Sequence, residues 1–121
     1  MTILYYLKFL LAAFFLYAGI THFRRPRFFY RITPPLLKRW EKPINIIVGV
    51  SEILGAIGLV VPNQQIQSAA AWGIIALLVA VFPANVYHLQ SKGAGMKIPI
   101  WALWLRLPLQ FVLIAWAYAY T

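Results

Sequence analysis

The sequence predicts an all-α membrane protein: a four-helix transmembrane bundle with a short amphipathic interfacial helix between helices 1 and 2. Three observations predict it. Of 121 residues, 63% are hydrophobic, more than a domain this small can hide from water. Four mostly apolar runs, at about 3–21, 44–61, 69–87 and 99–120, approach the roughly 20 residues that a membrane-spanning helix needs. They fill most of the chain and leave one domain over residues 1–121. Of the 11 Lys and Arg, set against 2 acidic residues, nine lie between the runs and only Lys8 and Arg106 within them.

The run 3–21 has length and hydropathy in common with a signal peptide. No base precedes it, however, and no small-x-small site stands before "THFRRP", so it reads as a retained span. The connection that follows holds Arg24, Arg25, Arg27, Arg31, Lys38, Arg39 and Lys42. Within it, "PPLLKRWE" sets Leu36, Leu37 and Trp40 on one helical face, with Thr33 as the candidate N-cap and proline in the first turn. Such a segment lies in the membrane interface and holds anionic lipid. Between spans two and three, "PNQQIQS" is uncharged, whereas Lys92 and Lys97 lie between spans three and four. By the positive-inside rule both basic connections are cytoplasmic and both termini face outward. Lys8 then snorkels to the outer interface. Tyr5, Tyr6, Trp116, Tyr118 and Tyr120 form an outer aromatic belt, and Trp72, Trp101 and Trp104 serve as lipid-facing or packing groups. Orientation accounts for the net charge of +9 and leaves no need for nucleic acid as a partner.

Within "INIIVGVSEILGAIGLVV" stands Glu52, one of two acidic residues in the chain. A carboxylate at membrane depth costs about 2.5–3.5 kcal/mol on insertion scales and persists where it faces the bundle. Asn45, Gly49, Glu52, Ala56 and Leu59 recur at steps of three or four and share one stripe; Gly55 and Gly58 beside it admit a close neighbour. In span four Arg106 and Gln110 share a face, span three ends with Asn85 and His88, and span one with Gly19 and His22. Counting about 1.5 Å per residue places Glu52 roughly 12 Å, and Arg106 roughly 10 Å, from the cytoplasmic ends of their spans. His22, Glu52, Asn85, Arg106 and Gln110 therefore converge in one half of the bundle. Pro83 and Pro108 lie in the same layer and release the carbonyls of Val79 and Trp104 for bonds from Arg or His.

Two readings of that cluster follow. Glu52 and Arg106 either form a buried pair that fixes helix register, or Glu52 is a proton acceptor or head-group anchor with Arg106 as counter-ion. His22 is either a solvated interfacial imidazole or an inward one that passes protons to Glu52. Asn85 reads as a hydrogen bonder between helices and His88 as an interfacial residue. Two histidines and one nearby carboxylate fall short of the three protein ligands that catalytic zinc takes, so no metal is expected. Cysteine is absent, which removes disulfides and thiol relays.

The stretches "AGITHFRRPRFF", "IVGVSEILGAIGLVVP", "AAWGIIALLVAVFPANVYH" and "RLPLQFVLIAWA", in that order, resemble the DoxX family of small four-helix bacterial membrane proteins. The resemblance covers nearly the whole chain. It implies a bundle in the bacterial cytoplasmic (inner) membrane and marks His22, Glu52, Asn85, Arg106 and Gln110 as ligand-binding motif positions. It also implies company with quinone-linked sulfur oxidation or redox complexes; lacking cysteine, this chain has no thiol chemistry to bring to them.

Three functions are then in competition. The first is an accessory or binding subunit for a quinone- or lipid-like ligand, with membrane lipid, redox-complex subunits or a second copy as partners and quinone as the one cofactor considered. The second is an enzyme doing acid–base chemistry on a lipophilic substrate, with Glu52, Arg106 and His22 as catalytic candidates. The third is a purely structural assembly subunit. Four spans without an inverted repeat are few for alternating access.

Overall fold

A computed structural model describes residues 2–91 and 98–121. Helix α1 spans Thr2–Arg24, α2 Pro26–Arg31, α3 Glu41–Val60, α4 Gln64–Gln90 and α5 Ile100–Tyr118, with a 3₁₀ helix at Pro35–Trp40. The chain is an all-α membrane protein whose four long helices, α1, α3, α4 and α5, have the length and apolarity to cross a bilayer. Lys92 and Lys97, assigned above to a basic connection, lie outside the described residues.

Helix α1 packs on α3, α3 on α4 and α4 on α5. The apolar core draws on all four, with Leu11 and Phe15, Leu59, Ile74 and Leu78, and Leu113 and Ala117. The buried face of α3 is the predicted stripe, Asn45, Gly49, Glu52, Ala56 and Leu59, joined by Gly58. The α1–α3 seam is close because glycines meet there. A Cβ on Gly19 would stand 2.9 Å from the Gly49 carbonyl oxygen, and one on Gly49 would stand 2.9 Å from His22 Cβ. Gly73 has nothing within 4 Å of the same position. Gly49→Val is therefore expected to destabilise the bundle by about 1–3 kcal/mol. Gly73→Ala should be neutral or stabilising by up to about 1 kcal/mol through helix propensity. Unfolding midpoints in mixed micelles decide between them.

The segment between α1 and α3 differs from expectation. Pro26 opens a six-residue helix, α2, that periodicity did not reveal; proline suits the first helical position. The expected amphipathic helix is present but is 3₁₀, starts at Pro35 and runs directly into α3. Thr33 does not cap it. The Thr33 hydroxyl donates to the Phe29 carbonyl at 2.9 Å, while Pro34 stands at the cap position and its carbonyl takes the Leu37 N–H at 2.9 Å. With Pro35 lacking an N–H, little remains there for a threonine to cap. Leu36, at 87% exposed, Leu37 and Trp40 all face outward. Lys38 Nζ donates to the Tyr30 carbonyl and lies 3.7 Å from Glu41 Oε2.

At the opposite end the structure also corrects two outward assignments. Lys8 is buried and gives its ammonium to Gln67 Oε1 at 3.0 Å, beneath the Tyr5 ring. Tyr120 turns inward: its hydroxyl donates to the Leu4 carbonyl at 2.7 Å and accepts the Trp116 indole N–H at 3.2 Å. Both satisfy polar groups inside the bundle where lipid would offer no partner. Tyr5, Tyr6 and Tyr118, together with Trp72, Trp101 and Trp104, remain exposed.

Candidate functional site

The four long helices enclose a cavity of about 230 Å³ whose wall includes His22, Glu52, Asn85, Arg106 and Gln110, together with Asn45. All five residues nominated from the sequence thus meet at one space. They do so as two separate hydrogen-bonded groups, one on α1 and α3, the other on α4 and α5.

In the first group, Asn45 Nδ2 donates to the His22 backbone carbonyl at 2.8 Å. That carbonyl can only accept, which fixes the amide orientation and leaves Asn45 Oδ1 facing His22 Nδ1 at 2.6 Å. Nδ1 therefore carries a hydrogen and donates it. Nε2 is left 3.7 Å from Glu52 Oε1. With His22 at 6% and Glu52 at 8% exposed, the two side chains face each other away from solvent, just beyond hydrogen-bond distance. Phe29 stacks on the imidazole with ring centroids 3.6 Å apart, which is how α2 closes that side of the site. His22 is consequently the inward imidazole of the two readings.

In the second group, Gln110 Nε2 donates to the Leu78 carbonyl at 2.5 Å. This again fixes an amide, so Gln110 Oε1 accepts from Asn85 Nδ2 at 2.6 Å. Asn85 Oδ1 is then free to accept from Arg106 at 2.8 Å. Asn85 is the interhelical bonder that its position implied. The second Arg106 terminal nitrogen donates to His88 Nδ1 at 2.6 Å, so His88 is the neutral tautomer with its hydrogen on Nε2.

Three expectations need correction. Arg106 forms no ion pair with Glu52: His22 stands beside that carboxylate at 3.7 Å, and Arg106 is held by Asn85 and His88 across α4 and α5. His88 is not interfacial but fully buried, against the edge of Phe28 at 5.9 Å between ring centroids. The carbonyl recruited near Pro83 is that of Leu78 rather than Val79, and its donor is Gln110 rather than Arg or His. Leu78 lies on the buried face of α4 while Val79 faces outward, so only the former carbonyl can meet α5. Both α4 and α5 continue through their prolines.

Sequence reasoning nominated neither Asn45 nor His88 for the site. Asn45 was legible, since it stands on the Glu52 stripe two turns away. His88 carried the same signal, since it stands three residues from Asn85 on the buried stripe of Ala71, Ile74 and Leu78, but its place at the end of the span made it read as interfacial. Glu52 Oε2, by contrast, is buried on the cavity side chain without a hydrogen-bond partner among the described residues. The wall thus offers a carboxylate oxygen, a guanidinium with donors to spare, and an apolar surround that includes Phe15, Leu78 and Leu113. Chemically, it can receive a small polar head attached to an apolar body.

No curated protein and no solved structure matches the chain. Residues 11–121, which contain every residue of the cavity wall, match the model of a domain of unknown function, DUF8561, and the chain belongs to that family.

Proposed function

We propose that this protein is an accessory, ligand-binding membrane subunit of DoxX type, holding a quinone- or lipid-like amphipath in the cavity between its helices. The observation that carries this reading is Glu52 Oε2: a carboxylate oxygen, buried and unpartnered, on the wall of a cavity. Buried polar atoms without partners are rare and costly, and a ligand hydroxyl or N–H would supply the missing donor. The cavity volume of about 230 Å³ exceeds the roughly 150 Å³ that admits a benzene ring, so a substituted ring or a lipid head group fits.

In this reading the chain sits in a bacterial cytoplasmic membrane with both termini outside. The basic stretch 24–42 lies on the cytoplasmic surface, where it meets anionic lipid and a redox-complex partner or a second copy. Glu52→Gln keeps the shape of the side chain and turns one acceptor oxygen into a donor. Ligand co-purifying with the variant should fall about tenfold, the equivalent of one lost charged hydrogen bond, in quantitative lipid and quinone extraction per mole of folded protein. Unchanged amounts of every co-purified lipid and quinone would remove the reading.

A second reading, acid–base chemistry on the bound amphipath, draws on the His22 tautomer. Asn45 orients the imidazole so that Nε2, Glu52 and the cavity stand in sequence, the arrangement a general base requires.

A further inference from the structure

The geometry points to the class of ligand: an anionic lipid whose glycerol-phosphate head lies against Arg106 and Glu52 and whose acyl chain leaves the bundle between α1 and α5. This rests on the cavity being a ligand site, as proposed above.

The charge of the wall comes first. The chain has two acidic residues. Glu41 and Glu52 both line the cavity, but Glu41 lies beside Lys38 and Glu52 beside His22, and neither forms an ion pair with Arg106. Its two bonds go to Asn85 and to a neutral His88, neither of which carries a negative charge. A guanidinium has five N–H donors, and three of them have no acceptor among the described residues. The guanidinium therefore meets the cavity without a paired anion, in an apolar surround where an uncompensated charge is expensive. A single anionic group completes it, and phosphate suits the guanidinium fork.

Glu52 Oε2 adds a second requirement. Beside an anion, an unpartnered carboxylate oxygen needs a donor, and the same head must therefore carry a hydroxyl. A glycerol phosphodiester meets both demands at once. Phosphocholine has the acid without the hydroxyl, and a monoacylglycerol has the hydroxyl without the acid.

The path of the tail comes from the helix order. Helix α1 packs on α3, α3 on α4 and α4 on α5, but α5 does not pack closely back on α1. Their ends meet through Tyr120 and the Leu4 carbonyl, at the end of α1 away from His22. Between them the cavity wall includes Phe14 of α1, 46% exposed, and Leu109 of α5, 44% exposed. Two residues that line the cavity and also face outward mark its mouth. An apolar chain leaving there would pass between two apolar side chains into the bilayer.

The test uses the full chain in phosphatidylcholine vesicles doped with phosphatidylglycerol or with mono-olein, extracted into mild detergent and weighed with its bound lipid by native mass spectrometry. Phosphatidylglycerol should be retained at least about tenfold over either competitor. Arg106→Gln should abolish that preference and Arg106→Lys, which keeps the charge, should retain most of it; both are compared at equal folded fraction. Phosphatidylglycerol with a diazirine in its acyl chain should label α1 and α5 around Phe14 and Leu109. Equal retention of mono-olein or phosphatidylcholine, or labelling confined to α3 and α4, overturns the inference and leaves the cavity as a site for some other amphipath. A wild-type protein that retains no lipid of any kind, and no quinone, overturns the ligand site itself.

Discussion

Replacing His22 by leucine is expected to lower stability by about 3–5 kcal/mol, the cost of stripping one partner from a buried ion pair. The imidazole holds three contacts that leucine cannot: Glu52 at 3.7 Å, the Asn45 amide oxygen at 2.6 Å and the face of Phe29 at 3.6 Å. Glu52 already has one oxygen without a donor. Removing His22 leaves the whole carboxylate unpaired in an apolar wall. The double variant His22→Leu, Glu52→Leu takes away the stranded charge as well and leaves Asn45 Oδ1 short of a donor. Its expected cost is about 1–3 kcal/mol, that of one unsatisfied amide oxygen. Unfolding midpoints of the single and double variants in mixed micelles make the comparison. A double variant no more stable than His22→Leu would show that the pair is not coupled.

Asn85→Leu is expected to cost about 3 kcal/mol, since one substitution strands a charged donor and a neutral acceptor together. Asn85 is the link through which Gln110, anchored on the Leu78 carbonyl, holds Arg106. Leucine keeps the branched skeleton with the same number of heavy atoms, so the hydrogen bonds are the main loss, with some added crowding at this buried position. Asn85→Asp separates the two contributions. It keeps an acceptor for Arg106 and supplies the carboxylate the guanidinium lacks, while losing the donor to Gln110. Aspartate should therefore recover part of the stability that leucine loses. By neutralising Arg106 it should also erase any preference for an anionic ligand. A protein in which leucine and aspartate are equally tolerated would place the α4–α5 hydrogen bonds outside the energetics of the bundle.

Asn45, Glu52 and Arg106 show how far one sequence reaches. The stripe on α3 was legible because helical period alone decides which residues share a face, and a bilayer tolerates a carboxylate only on the face turned from lipid. Four spans, the half of the bundle in which polar groups collect, and the membership of that cluster followed from run length and from about 1.5 Å of rise per residue. Pairing was not legible. Depth puts Glu52 and Arg106 at the same level, but azimuth decides which neighbour each one faces, and azimuth depends on the order in which helices pack. With α1 against α3 and α4 against α5, each ionisable group finds its partner on the adjacent helix, and the two networks face each other across the cavity instead of joining. The contact of Phe28 with His88 and the stacking of Phe29 on His22 depend likewise on a six-residue helix opened by Pro26, too short for hydrophobic period to announce. Composition and spacing determined which chemistry this chain carries and at what depth. Only the packing of one helix on the next decided which of those side chains meet, and that they meet as two groups instead of one.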